Sequence, residues 1–175
     1  MPTPNKPAPT GREVPFTEKD GFIVSKTDLK GTITYINRAF MRIADYAPNE
    51  LLGQPHNIIR HPDMPKTAFR LLWEHVQAQK EWFGFVKNMT SSGDHYWVFA
   101  NVTIDCENGK PVGYYSVRRP ILNRKALEQV EVLYQTLREL ENRQGIDAAL
   151  AHLDTLLKEQ HLSYNQFALK LYRSA

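Results

Sequence analysis

The hydrophobic period of this chain changes near Pro120, and that change limits the folds open to it. Upstream, short β-rich runs alternate with turn residues and short helical segments. Downstream, residues 121–175 hold no proline and a single glycine, Gly145. Apolar residues there recur at helical spacing: Leu127, Val130, Tyr134 and Leu137 on one stretch, Ile146, Leu150, Leu153 and Leu157 on the next. Gly145 separates the two, and Ser163 with Gln166 forms a capping-box pattern for a last helix bearing Phe167 and Leu171. Three short amphipathic helices must bury their stripes on each other, on the β-rich part or on a second copy.

The β-rich part reads in order. Gly21–Lys26 and Thr32–Ile36 are strands around the turn Asp28–Gly31. Asn37 is a natural cap for a helix with Phe40, Met41 and Ile43, and Asn49 for a turn with Leu51 and Leu52. Phe69, Leu72, Trp73 and Val76 give a helix over 64–80 with Asp63 as its cap, Pro65 in its first turn and Trp73 toward the core. Three strands follow, 82–89, 95–104 and 111–119, the last two joined through Asn108-Gly109, a strong hairpin signal. Five of the eleven prolines fall in the first fifteen residues, so 1–15 is expected to be a disordered lead-in.

Charge and composition close off several function classes. Residues 1–20 and 121–175 each balance to zero, so the net +3 lies in 21–120. That is too little for a polyanion track, and no nucleic-acid partner is expected. The single cysteine, Cys106, excludes an internal disulfide and multi-cysteine metal sites, and its place beside a hairpin makes it a poor nucleophile. No run approaches the ~18 apolar residues of a membrane span, and Met1–Gly11 lacks the apolar core of a secretory signal. A cytoplasmic location is expected. No nucleophile elbow, phosphate loop, dinucleotide fingerprint or kinase motif set occurs, so no enzyme is expected.

Two clusters could carry chemistry. Arg60-His61-Pro62-Asp63 precedes a helix start, where an arginine and free N–H groups suit an anion; equally, Asp63 caps the helix and Arg60 pairs with it on the surface. Trp82, Gly84, Val86 and Asn88 share one strand face, either a ligand platform of ring, bare backbone and amide, or a core tryptophan beside a glycine bulge. On the next strand Tyr96, Val98, Ala100, Val102 and Ile104 form the more apolar face, the better core candidate, opposite His95, Trp97, Phe99 and Asn101. His56 and His61 are possible haem or metal ligands, without helical pairing to support it. His75, His152 and His161 read as surface residues.

The run Gly53-Gln54-Pro55-His56-Asn57-Ile58-Ile59-Arg60-His61-Pro62-Asp63-Met64-Pro65-Lys66 resembles the PAS domain of bacterial aerotaxis receptors. So do Trp82-Phe83-Gly84-Phe85-Val86-Lys87-Asn88 and Gly93-Asp94-His95-Tyr96-Trp97-Val98, and Thr27–Asn37 matches the general PAS entry pattern; the resemblance covers about residues 13–135. It implies an α+β PAS fold, an antiparallel five-stranded sheet with helices on one face, over residues 16–120, with 121–175 as a helical extension for signalling or dimerisation. It also implies non-covalent FAD and a redox- or oxygen-sensing role in signal transduction. In that family the residues matching Arg60, His61 and Asp63 are tied to FAD binding, those matching Trp82 and Asn88 lie by the flavin ring, and those matching Asn37, His56 and Trp73 are cofactor-sensitive. On this reading Asn88 exchanges donor for acceptor when the ring edge gains a proton. The cysteine of blue-light PAS photoreceptors is missing, so covalent flavin photochemistry is not expected. The family's membrane anchor and long signalling domain have no counterpart here, which suggests a stand-alone sensor whose tail meets a second copy or a signalling partner. A haem- or metabolite-binding PAS sensor and a cofactor-free PAS interaction module are the alternatives.

Overall fold

The computed structural model describes residues 6–174; residues 1–5 of the lead-in lie outside them. The elements are β1 (Ile23–Asp28), β2 (Ile33–Ile36), α1 (Arg38–Ala44), α2 (Pro48–Leu51), α3 (Lys66–Gln77), β3 (Trp82–Met89), β4 (His95–Glu107), β5 (Lys110–Arg119), α4 (Arg124–Gln144), α5 (Ile146–Glu159) and α6 (Tyr164–Arg173). The strands form one antiparallel sheet in the order β2-β1-β5-β4-β3.

Register follows the alternation of side chains. Trp82 pairs with Val102, Gly84 with Ala100 and Asn88 with Tyr96; Ala100 in turn pairs with Arg118 and Val102 with Ser116. These residues therefore share one face of the sheet, over which α1 and α3 pack. Both faces of β4 are buried, not the apolar one alone. The tail covers the second: Tyr134 of α4 lies against Trp97 at 6.1 Å, and Tyr172 of α6 stacks on Phe99 at 4.1 Å. Helices thus lie on both sides of the sheet: α4 and α6 bury apolar side chains on it, and α5 packs on α4 and α3.

Asn37 joins β1 to α1. Its Oδ1 accepts from the Val24 and Phe40 amides at 3.0 and 3.1 Å, and its Nδ2 donates to the Phe22 carbonyl at 2.8 Å. The other two expected caps are corrected. α2 opens on Pro48 after Ala47, whose amide donates to Glu50 rather than to Asn49. α3 begins at Lys66 after Pro65; Asp63 is drawn away to Lys87 and Arg138, and the first-turn amide of Thr67 is met instead by Glu141 Oε1 of α4 at 2.7 Å.

The lead-in from Lys6 onward is ordered, against the expectation for 6–15. Free backbone groups at the start of β4 give it partners: Thr10 N donates to Gly93 O, Val14 N to His95 O, and His95 N to Arg12 O, at 2.7–3.0 Å. Glu13 then forms a forked pair with Arg124 of α4 at 2.7 and 2.9 Å.

Tyr134 reaches through the core to donate to the Phe85 carbonyl of edge strand β3 at 2.6 Å. Tyr134→Phe leaves that carbonyl buried without a donor, and urea unfolding should show a loss of about 1–3 kcal/mol. An unchanged midpoint would mean that the tail does not seal this edge.

Candidate functional site

The cavity lies between the inner sheet face and α3, with a volume of about 360 Å³, within the usual range of small-molecule sites. Its sheet wall comprises Ser25 and Thr27 of β1, Trp82, Val86 and Asn88 of β3, Ala100 and Val102 of β4, and Tyr114, Ser116 and Arg118 of β5. Phe69, Leu72 and Trp73 of α3 face it, with Trp73 edge-on to Tyr114 at 5.3 Å. His56, Asn57 and Arg60 close one side.

Electrostatics set the character of this cavity. Among the described residues, Lys30, Arg60 and Arg118 line it, and no carboxylate does. Arg118 is 2% exposed in the middle of the sheet. One of its terminal nitrogens, Nη2, donates to Ser25 Oγ at 2.7 Å and to His56 Nε2 at 2.6 Å, while Nη1 has no partner. Burial pulls Arg60 and Arg118 down to about 10, so both stay charged at neutral pH. His56 is held well below the usual histidine range by burial first, then by Arg118 and Arg60. It is therefore neutral, and its Nε2 serves as acceptor for Arg118 rather than as a free ligand for iron.

Four cavity residues carry buried polar nitrogens without a partner among the described residues: Arg60 Nε, Trp82 Nε1, Asn88 Nδ2 and Arg118 Nη1. All four are donors. The Arg60 guanidinium is instead stacked on Phe69, 3.5 Å from the ring centre. Buried donors without acceptors are costly, so the cavity is complementary to an acceptor-rich ligand with negative charge.

The structure divides the expected site residues. Arg60, Trp82, Asn88, His56 and Trp73 meet at the cavity. His61, Asp63 and Asn37 are outside its lining. The His61 ring is buried against His95, and its Nδ1 accepts from the Asp63 amide at 3.0 Å. Asp63 bonds Lys87 of β3 at 2.8 Å and Arg138 of α4 at 3.1 Å, tying the loop before α3 to the sheet and the tail. Gly84 is not bare platform either: a Cβ there would fall 2.2 Å from the Trp82 indole, which lies across it. Trp73, expected in the core, is a cavity wall. His75 is half-buried, with Nδ1 on the Leu71 carbonyl at 2.7 Å, and His152 is half-buried too; His161 is exposed.

Sequence reading passed over Arg118, Ser25, Lys30 and Phe69. A signal for Arg118 existed: it shares strand parity with Tyr114 and Ser116 and precedes Pro120, so a charge stands at an inward position. Among the described residues no cluster of three or more metal-ligating side chains occurs, and no helix is long and apolar enough to cross a membrane.

A sequence model of the PAS fold matches residues 33–118, the span that includes α3, β3 and the floor arginine. The chain carries a PAS domain. The aerotaxis receptor of Escherichia coli (strain K12) is 41% identical over 131 residues, which is 75% of this chain and 26% of that receptor. The nitrogen fixation regulatory protein of Klebsiella pneumoniae is 28% identical over 125 residues, 71% of this chain and 25% of that protein. The chain spans about a quarter of the length of these curated relatives. Among solved structures, the dark-state Aureochrome1 LOV domain aligns with a TM-score of 0.55 at 17% identity, covering 68% of this chain and 86% of that one. A light-oxygen-voltage domain studied with a flavin analogue aligns at 0.55 and 18% identity, covering 63% and 83%. These identities establish the PAS fold, and the cavity above is the interior of that domain.

His61 is held near 4 by burial first, then by Lys87. The folded PAS domain thus refuses protons that the unfolded chain accepts below about 6.5, so stability falls as pH drops from there toward 4. Urea titrations across that window should show a shallower fall for His61→Gln, by about 1–3 kcal/mol at the acid end. Parallel curves would remove His61 as the buried neutral group.

Proposed function

We propose that this chain is a signal-transduction sensor module that binds FAD non-covalently in the PAS cavity and reports redox state or oxygen through its helical tail. The observation that carries this reading is the set of four unpartnered donors in a cavity with three cations and no carboxylate. A flavin dinucleotide answers both demands, since the polar side of its ring is rich in acceptors and its pyrophosphate is anionic. The 41% identity to an aerotaxis receptor and the flavin analogue named for a light-oxygen-voltage relative support the same class of ligand.

When bound, the flavin supplies a redox centre whose ring changes its protonation on reduction. Arg60 and Lys30 would hold the anionic part. Asn88, Trp82 and Arg118 would donate to ring acceptors, with His56 and Ser25 fixing the Arg118 guanidinium. Phe69, Leu72 and Trp73 exclude water from the apolar side. His61, Asp63 and Asn37 act through others: they hold the loop before α3 and the start of α1 in place. Asn88 is the relay of this reading, because its amide can turn to accept where it had donated. The partner is a second copy or a chemotaxis-type signalling protein in the cytoplasm, meeting the outward side of residues 121–175, where Val132 is exposed. The chemistry resides in the cofactor, and the chain is a sensor rather than an enzyme.

The purified protein should be yellow and release FAD on heating. Arg118→Met keeps the stem and removes the charge; FAD affinity measured by absorbance titration should fall about 10- to 100-fold. Wild-type protein that is colourless and takes up no FAD contradicts the reading.

A further inference from the structure

Tyr96 of β4 stands directly opposite Asn88 of β3, on the same inward face of the sheet, and is fully buried. It is beside Asn88 but outside the cavity lining. Its hydroxyl has no hydrogen-bond partner among the described residues, and neither has Asn88 Nδ2. A buried tyrosine hydroxyl ordinarily finds a partner, because leaving one unpaired is costly. Here two such groups are cross-strand neighbours, one reaching the cavity and one not.

The surroundings of the phenol single out Asn88 as the group it can serve. Burial pushes its pKa up; the Arg118 charge pulls it down, Tyr46 adds to the rise, and the Asn88 side chain pulls it down by hydrogen bonding. The Asn88 amide is thus near the hydroxyl, in a contact looser than a closed hydrogen bond. Arg118 directs Nη2 to Ser25 and His56 instead. An amide has two unlike ends, a donor NH₂ and an acceptor oxygen. A hydroxyl can serve either end, because it both donates and accepts, whereas a guanidinium only donates.

We propose that Tyr96 is the positioning residue for the Asn88 amide: its hydroxyl turns to pair with whichever end of that amide the ligand leaves free. The proposal rests on the flavin reading above. Opposite an acceptor on the ring edge, Asn88 donates from Nδ2, and its Oδ1 accepts from the Tyr96 O–H. Opposite a ring edge that carries a proton, Asn88 Oδ1 accepts from the ring, and its Nδ2 donates to the Tyr96 oxygen. The hydroxyl follows by rotation about its C–O bond, without displacement of the buried ring. Neither orientation then leaves an end of the amide buried and unpaired, the cost that would otherwise oppose the turn.

The test reads the resonance of isotope-labelled Tyr96 Cζ in the full chain loaded with FAD, before and after full reduction with dithionite. Cζ carries the hydroxyl oxygen and responds to whether that hydroxyl donates or accepts. Its resonance should move on reduction, and Asn88→Ala should remove the movement. Tyr96→Phe should bind FAD about tenfold more weakly in both redox forms, because one end of the amide is then left unpaired. The ligand-free Tyr96→Phe protein should keep the wild-type urea midpoint, since the hydroxyl it loses has no partner among the described residues. A lowered midpoint with FAD affinity unchanged makes the hydroxyl merely structural and overturns the proposal. A Tyr96 resonance that stays in place, with FAD binding and reduction verified by absorbance, also overturns it and leaves the flavin reading standing. No FAD uptake by the wild-type chain overturns both. The wild-type spectra decide the matter even if a variant fails to fold.

Discussion

A guanidinium buried in the middle of the sheet, with no carboxylate to answer it, governs the inner half of this molecule. Arg118 is covered on every side, and its contacts are a hydroxyl, a neutral imidazole and the Phe40 ring 5.1 Å away. Such an ion is tolerated when a counter-charge arrives from elsewhere. Arg60, stacked on Phe69 across the cavity, repeats the pattern. His56 is kept neutral between the two, since a third positive charge there would add to the imbalance. The cavity is thus electrostatically incomplete in a definite sense: it lacks acceptors and negative charge, and a nucleotide-type heterocycle provides both.

The outer half is built to a different requirement. β3 is a hydrophobic edge strand, and its exposure would invite pairing with other chains. Loop, α4 and α6 close it together. The Asp63–Lys87–Arg138 cluster ties the loop to the same tail helix. His61 and Asp63 are thus held beside the cavity without lining it. They fix the segment that carries Arg60. The tail in turn is not a free appendage, because α4 and α6 cover the second sheet face and α5 packs on α4.

Much of this was legible in the chain. Period-two alternation placed Trp82, Val86 and Asn88 on the cavity face, and the break at Gly145 separated α4 from α5 at the right residue. Motif resemblance picked out Arg60 and His56. What stayed hidden was non-local. Nothing near Asp63 in sequence reveals that Lys87 and Arg138 compete for it, so the local cap rule misplaced it. Asn165 reads as an ordinary first-turn residue until the edge it covers is known. Gly84 reads as room for a ligand, whereas the indole two residues earlier takes that room. The polarity of Arg118 was visible, but its isolation from carboxylates emerges only when five elements close around it.

The central claim is that the unpartnered donors of the cavity belong to the ligand. Proton–nitrogen correlation spectra of the Trp82 indole, the Asn88 side-chain amide and the Arg60 Nε–H report on three of them directly. On titration with FAD all three should shift together and saturate at one equivalent. Signals that stay in place while FAD binds would show that the ligand sits elsewhere, and would contradict the account.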